Sequence, residues 1–564
     1  MSAPEAFPGG TREELVPEDA SRHARNAAVM AVGTALSRIT GFLRYAALAY
    51  VLGLTLQYGR TNLPSTYNLA NSVPNMIYDL VIGGVLASLF IPVFVEYLTT
   101  RSREEAYHVA NSATNISMAI LVAVTVVGVL ASPLIIRLMT VFGSYESGGA
   151  GSQALREQAS FFLRFFVPQI IFYGMAAIFA GLLNSHRHFT APAFAPILNN
   201  LVVIATVGTF SVLPGARDDR LHLVVLGLGT TLGVAAQALV QLPMLRRLGF
   251  RWRPVFDLRH PAIRKIGRLA LPLLGYIFLW QVGTWFMFAL AIQEDGGVPS
   301  YQYAQLFFQL PYGIFAVSVI TALFPGMSEK SARRNREGFR SDLGMGIRAT
   351  LVVILPCAVL YLMLNRQIIT FLLEHGFFKA GDTVLLSGVL LFFSLGLVPY
   401  SVDMLLTKGF YAMQDTRTPM IINCFVVSVN MLANYTFFRL MGVKGLALGF
   451  TVAYCFSMVL DGTVLRRRLK RLGGRAIAST LARVLAAAGC MALVVYGSLR
   501  LVEAGFPGRS LAAEFLELAL PAGLGIAAYL AVAGALGVGE LSVLRGMAAR
   551  YLRRARGPQG RGAG

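Results

Sequence analysis

From about residue 26 to residue 537 the chain is a succession of apolar runs, each long enough to cross a bilayer and separated by short polar connections. A helix needs about 20 apolar residues for that crossing. About fourteen runs qualify, near 26–52, 67–97, 109–140, 157–184, 193–213, 222–244, 267–293, 301–326, 345–373, 384–412, 418–438, 443–465, 479–502 and 514–537. Inside a bilayer every backbone N–H and C=O must be satisfied by the chain itself, which leaves helices or a closed barrel. Barrel strands are about ten residues long and strictly alternating, and nothing here alternates. The sequence therefore predicts an all-α integral membrane protein of about 14 transmembrane helices. Composition agrees: 55% of the residues are hydrophobic and 14% charged, too little charge for a soluble protein of 564 residues. The connections are too short to hold a separate soluble domain.

The formal charge of +21 is informative through its placement. Segment 6 is followed by LRRLGFRWRPVFDLRHPAIRKIGR, segment 8 by EKSARRNREGFR, segment 12 by RRRLKRLGGR, and the chain ends YLRRARGPQGR. The intervening connections GARDDR, QEDGGVPS and KAGDT carry little net positive charge. Basic connections stay in the cytoplasm, so both termini are expected there, in a multi-pass plasma-membrane protein. The same distribution excludes a nucleic-acid partner, because the charge is divided among juxtamembrane loops and forms no single face. Residues 1–25 read as a polar, disordered cytoplasmic tail and 538–564 as a basic one. The first apolar run is too long for a signal peptide and lacks a basic region before it. Cys357, Cys424, Cys455 and Cys490 fall inside apolar runs without metal-ligand spacing, which points to burial.

Two passages echo each other. YNLANSVPNMIYDLVIGGVLASLFIPVF begins at Tyr67, and YAQLFFQLPYGIFAVSVITALFPGMS begins at Tyr303. In each, a tyrosine precedes a proline, Pro74 or Pro311, and a small-residue helix then closes on Pro92 or Pro325. A second pair, GLLNSHRHFTAP and GFYAMQDTRTP, ends at Pro192 and Pro419 with a similar offset of about 230 residues. Six helices per copy gives both copies the same orientation, so these are parallel repeats related by an axis along the membrane normal. The expected division is an N-terminal six-helix lobe over 26–244, a basic cytoplasmic linker over 245–266, a C-terminal six-helix lobe over 267–466, and two further helices over 479–537.

Arg38 and Arg44 lie within the first segment, six residues apart and so about 9 Å along a helix. Arginine near the bilayer centre costs at least about 2.5–3.5 kcal/mol on insertion scales, so it faces protein or a wet cavity. An internal ion pair with Asp79 is one account. An anion site is the other, since a guanidinium forks onto phosphate oxygens and one acid cannot balance two arginines. Gln302, Gln305 and Gln309 share a helical face, suited equally to lining a cavity or joining helices. Asn199, Asn200, Gln237 and Gln241 read as interhelical hydrogen bonds. Asp403 and Lys408 read as a structural pair or as groups reaching the interface, and Arg366 has no evident partner. No catalytic constellation appears, so the chain is not read as an enzyme. No glycine-rich phosphate loop appears either, which excludes direct use of ATP.

SRITGFLR, the VPN at 73–75 with GGVLASLFIPVFVEY, NSHRHFTAPAFAPILNN, QLPMLRRLGFRW, FFQLPYGIFAVSVITALFP and FYAMQDTRTP together resemble the MurJ/MviN family over about residues 26–470. The resemblance implies the multidrug/oligosaccharidyl-lipid/polysaccharide exporter fold. It implies a flippase for lipid II, the undecaprenyl-diphosphate-linked peptidoglycan precursor, moving by alternating access, with cell-wall synthesis proteins as further partners. It carries the family's first-helix arginines onto Arg38 and Arg44, which would receive the diphosphate with Asp79 nearby. Gln305 and Gln309 would then meet sugar or peptide, and helices 13 and 14 would hold the lipid tail. Some members bind sodium at positions like Gln281, Asn430, Asn434 and Thr451; interhelical hydrogen bonding is the other reading of these four. No cofactor is implied, and sodium or the membrane potential would supply the driving force. The chain departs from the pattern at Leu306, where many members have arginine, at Ser65, where many have an acid, and at Tyr78 and Asp79, where many have a basic pair. An exporter of another polyprenyl-linked glycan and a non-transporting scaffold are the alternatives.

Overall fold

The structure is a computed structural model that describes residues 17–55, 57–58, 61–78, 97, 101–142, 150–186, 188–216, 219–505 and 510–540. Eleven helices among these are long and apolar enough to span a membrane. The chain is therefore an all-α, multi-pass membrane protein.

Segment 1 is α1 (Pro17–Leu52), and segment 2 opens as α2 (Leu63–Tyr78) after a tiny hairpin of β1 (Gln57–Tyr58) on β2 (Thr61–Asn62). Asp79 and residues 80–96 of segment 2 lie outside the described residues. Proline, which lacks the N–H of the helical ladder, divides the next two segments. Segment 3 becomes α3 (Arg103–Leu130) and α4 (Ser132–Met139), with Pro133 in the first turn of α4. Segment 4 becomes α5 (Ala150–Phe166) and α6 (Gln169–Ser185), parted at Pro168. Then come α7 (Thr190–Val212), α8 (Arg220–Leu239) and the short α9 (Leu242–Arg247).

The second half runs α10 (Pro261–Ala291), α11 (Gly297–Pro311), α12 (Val317–Ala332), α13 (Arg336–Leu373), α14 (Ala380–Ala412), α15 (Arg417–Met441) and α16 (Val443–Leu469). It is followed by α17 (Gly474–Gly505) and α18 (Leu511–Ala535). Between α11 and α12 the chain makes one π turn, Tyr312–Ala316, so segment 8 continues through its proline. Ser102, Asn335 and Ser510 start α3, α13 and α18 by accepting the N–H three residues on.

The helices pack in two groups with the same pairings. In the first, α1 meets α7, α7 meets α8, α2 meets α5, α3 meets α6, and α6 meets α8. In the second, α10 meets α15, α15 meets α16, α11 meets α14, α13 meets α14, and α14 meets α16. α17 and α18 pair with each other and lean on α13. The first group's interior holds Tyr67 edge-on to Phe162 and Phe166, with its hydroxyl 2.9 Å from Thr230 Oγ1.

Hydrogen bonds between the groups gather at the end of the bundle where α1 finishes. The buried Asp382 carboxylate accepts the backbone N–H of Leu54 (3.2 Å) and of Thr55 (3.1 Å), together with the Thr55 hydroxyl. Its own turn donates to it through Lys379 N at 3.2 Å. Phe377 N donates to Tyr50 O (2.8 Å), Gly296 N to Ser65 Oγ (3.2 Å), and Trp285 Nε1 to Leu138 O (3.2 Å). The loops can approach this closely because Gly53, at φ +65°, has no Cβ: one would stand 2.7 Å from Phe377 O.

Three expectations change. Asp403 does not pair with Lys408. It is buried facing Asp461 of α16, while the Lys408 ammonium lies over the rings of Tyr411 (5.4 Å) and Phe324 (6.0 Å). An i, i+5 offset separates their directions on a helix, and the aromatic faces attract the cation. Cys424, Cys455 and Cys490 are exposed on outer helix faces and only Cys357 is partly buried, because a small apolar side chain suits a lipid-facing surface as well as a core. Segments 3, 4 and 6 are each two helices.

A candidate substrate cavity and its arginines

A cavity of about 380 Å³ lies between the two groups. Tyr45 of α1 and Ser72, Asn75 and Met76 of α2 form one wall. Gln281 and Thr284 of α10, Gln302, Gln305, Leu306 and Gln309 of α11, and Asn430 of α15 line the other, with Trp280, Tyr301 and Tyr454 between them. The glutamine face thus lines a cavity, and its members offer neutral donors and acceptors only.

Neither arginine lines this space; Arg44 adjoins it through Tyr45, its neighbour on α1. The Arg44 guanidinium lies 4.8 Å over the Tyr45 ring, with Tyr67 and Tyr173 also close. Its Nε is buried without a hydrogen-bond partner, and neither arginine forms an ion pair among the described residues. Arg38 is exposed and reaches to the second group: a Cβ on Gly313, in the π turn, would stand 3.4 Å from its Nη1. Aromatic pairs hold the helices between them, Phe42 on Phe307 at 5.6 Å and Tyr45 on Tyr303 at 5.1 Å. A guanidinium with no carboxylate partner among the described residues and a free Nε has donors left for an anionic ligand.

The remaining polar residues divide. Asn434 Nδ2 donates to Asn430 Oδ1 at 2.9 Å, whereas the Thr451 hydroxyl donates to Phe392 O of α14 at 2.8 Å. The asparagines therefore come together and Thr451 is engaged elsewhere. Gln281 is buried, with its Nε2 unpartnered. Asn199 donates to Gln237 at 3.2 Å, Asn200 bonds Ser37 O and Thr40 of α1, and Gln241 bonds Ala176 O of α6, all as interhelical bonds. Asp382 had no sequence signal beyond its place in the first turn of a helix.

Residues 57–515 match a family model described as "Lipid II flippase MurJ". The chain belongs to the MurJ family. It is 26% identical over 523 residues to a probable lipid II flippase MurJ of Vibrio cholerae, covering 92% of this chain and 97% of that one. It is 28% identical to a probable lipid II flippase MurJ of Rhizobium meliloti, covering 90% and 93%. Among solved structures it resembles a lipid II flippase MurJ in an inward closed conformation, with a TM-score of 0.73 at 23% identity over 90% of this chain and 99% of that chain. An inward-facing MATE-family multidrug transporter of the MOP superfamily gives 0.62 at 14% identity, over 76% and 94%. Both arginines belong to α1, which gives Tyr45 to the cavity, and the residues that line the cavity itself are neutral.

The neutral wall sets an order of effects. Gln305→Ala and Gln309→Ala should each reduce transport several-fold at most, since a neutral hydrogen bond contributes about 1 kcal/mol against about 1.5–3 for a charged one. Export assayed at matched expression checks this; a loss as deep as that of Arg38→Ala would refute the division of labour.

Proposed function

We propose that this protein flips lipid II from the cytoplasmic to the outer leaflet by alternating access. The observation that carries the reading is Arg44, whose Nε is buried with no partner among the described residues, next to Tyr45 of a cavity lined by neutral residues. A diphosphate docks on Arg38 and Arg44, and the sugar and peptide meet Gln305, Gln309 and Asn430. Asp79 follows directly after α2 in the chain. The two helix groups are lobes that rock about this site, and α17 with α18 forms a path for the polyprenyl tail. Rocking a binding site between two faces suits parallel repeats. Membership of the MurJ family supports the substrate. The test is rescue of a flippase-depleted bacterium, scored by lipid II exposure on the outer leaflet; growth without exposure would sink the reading. Leu306, at a position where many relatives carry arginine, favours a second reading in which the glycan differs while the diphosphate is shared.

Both termini and the loops at Arg253, Arg334 and Arg468 face the cytoplasm in this reading, because basic residues concentrate there. A single cysteine at position 334, in a background without the native cysteines, should resist an impermeant thiol reagent added from outside. Labelling from outside would reverse the orientation.

Sodium coupling through Gln281, Asn430, Asn434 and Thr451 is the weaker part of the proposal. No acid is present among the four, and hard cations favour charged oxygens. Flipping in proteoliposomes should therefore be unchanged when sodium is replaced by choline, and Asn434→Ala should leave that insensitivity intact. A sodium requirement abolished by Asn434→Ala would establish the site instead.

A further inference from the structure

The connection from α9 to α10, Leu248–His260, is an extended strap laid along the first turns of α3. Asparagines hold its backbone. Asn111 Nδ2 donates to Arg251 O at 3.3 Å, and Arg253 N donates to Asn111 Oδ1 at 2.9 Å. Asn115 Nδ2 donates to Arg253 O at 2.7 Å and to Val255 O at 2.9 Å, while the Trp252 indole donates to Asn115 Oδ1 at 2.8 Å. Asp257 N donates to Ser112 Oγ at 2.8 Å. With its main chain fixed inward, the strap turns its side chains out. Trp252, Phe256 and Leu258 are 65%, 62% and 65% exposed, and Arg251, Arg253 and Arg259 are exposed among them.

Large apolar groups bared this far on a polar segment need a partner. A short strap tethered at both ends to membrane-crossing helices stays at the bilayer surface. Trp and Phe prefer the headgroup level, and arginines there attract anionic lipid. The one acid of the strap, Asp257, is turned back onto His108 at 3.4 Å and onto the N–H groups of Arg259 and His260. Arg246, Arg247, Arg264, Lys265 and Arg268 on the flanking helices add to the positive charge.

The geometry points to the strap as a docking surface for anionic phospholipid headgroups, with Trp252, Phe256 and Leu258 inserted at the interface and Arg251, Arg253 and Arg259 on the phosphates. It joins the two helix groups, so lipid bound there anchors the connection between them. The site is separate from the cavity and stands whether or not the chain flips lipid II.

The test uses the full chain in phosphatidylcholine vesicles containing, at equal mole fraction, phosphatidylglycerol or phosphatidylcholine with brominated acyl chains. Bromine quenches tryptophan at short range, and the Trp252 share of the three tryptophans is the difference from Trp252→Phe. Brominated phosphatidylglycerol should quench Trp252 more than brominated phosphatidylcholine does, and salt should erase the excess. Each of Arg251→Gln, Arg253→Gln and Arg259→Gln should cut the preference roughly fivefold. The unsubstituted strap already decides the matter, so a misfolded arginine variant cannot obscure it. Equal quenching by the two lipids overturns the anionic preference. No quenching by either, with Trp252 open to aqueous iodide, overturns membrane docking and makes the face a protein-binding one.

Discussion

On the proposed flippase reading, Arg44→Ala is expected to abolish lipid II export while the protein still reaches the membrane, and Arg38→Ala to do the same. A charged hydrogen bond contributes about 1.5–3 kcal/mol, so losing one costs roughly ten- to a hundredfold in binding. Arg44 is the more sensitive position, because its guanidinium is enclosed by Tyr45, Tyr67 and Tyr173 and no described cation stands ready to replace it. Lysine at either position restores activity only in part, since an ammonium lacks the planar fork that meets two phosphate oxygens. Outer-leaflet lipid II, measured at matched expression, is the readout. Normal export by both alanine variants would remove the diphosphate site.

Asp382→Ala is expected to open the end of the bundle that these contacts close. Three donors of the 54–55 loop converge on that one carboxylate. Each such bond shifts the balance between closed and open by about tenfold or more. A cysteine placed at Ser65, where Gly296 N now docks, becomes reactive toward an impermeant reagent in the alanine variant and stays protected in the parent. Asp382→Asn lies between them, keeping one acceptor oxygen and losing the charge. Protection unchanged in Asp382→Ala would mean that the aromatic contacts and the remaining hydrogen bonds between the groups hold the end shut without this carboxylate.

Hydropathy carried the spans well. Segment 11 was expected at 418–438 and is α15, Arg417–Met441; segment 12 was expected at 443–465 and is α16, Val443–Leu469. Lipid forces a length and an apolar surface on each crossing, and both are written in consecutive residues. The glutamine face was visible for a similar reason, because i, i+3 and i+7 bring Gln302, Gln305 and Gln309 to one side of α11. What escaped depends on partners far along the chain. Asp382 meets Leu54 across 328 residues, and Asp403 meets Asp461 from another helix. No spacing rule reaches that far. The strap was read as a run of positive charge, since nothing local says that Asn111 and Asn115 would hold its backbone and bare its aromatics. The π turn after Pro311 likewise needed the tertiary fold, because proline alone announces only a break.

The contact between Asp382 and the loop after α1 distributes its genetic risk unevenly. On one side stands a single side chain; on the other, two of the three donors are peptide N–H groups that every residue except proline carries. Those two bonds do not depend on the side chains at 54 and 55, so the contact places its demand on position 382 and on the glycine at 53 that permits the approach, while Leu54 is held separately by its burial in the core. Leu54→Pro should break the contact as Asp382→Ala does, whereas Leu54→Ala should keep it and lose stability by the cavity it leaves in the core. A survey of side-chain variants in this loop would report the burial of Leu54 and the glycine at 53 and miss the backbone donors that bind position 382.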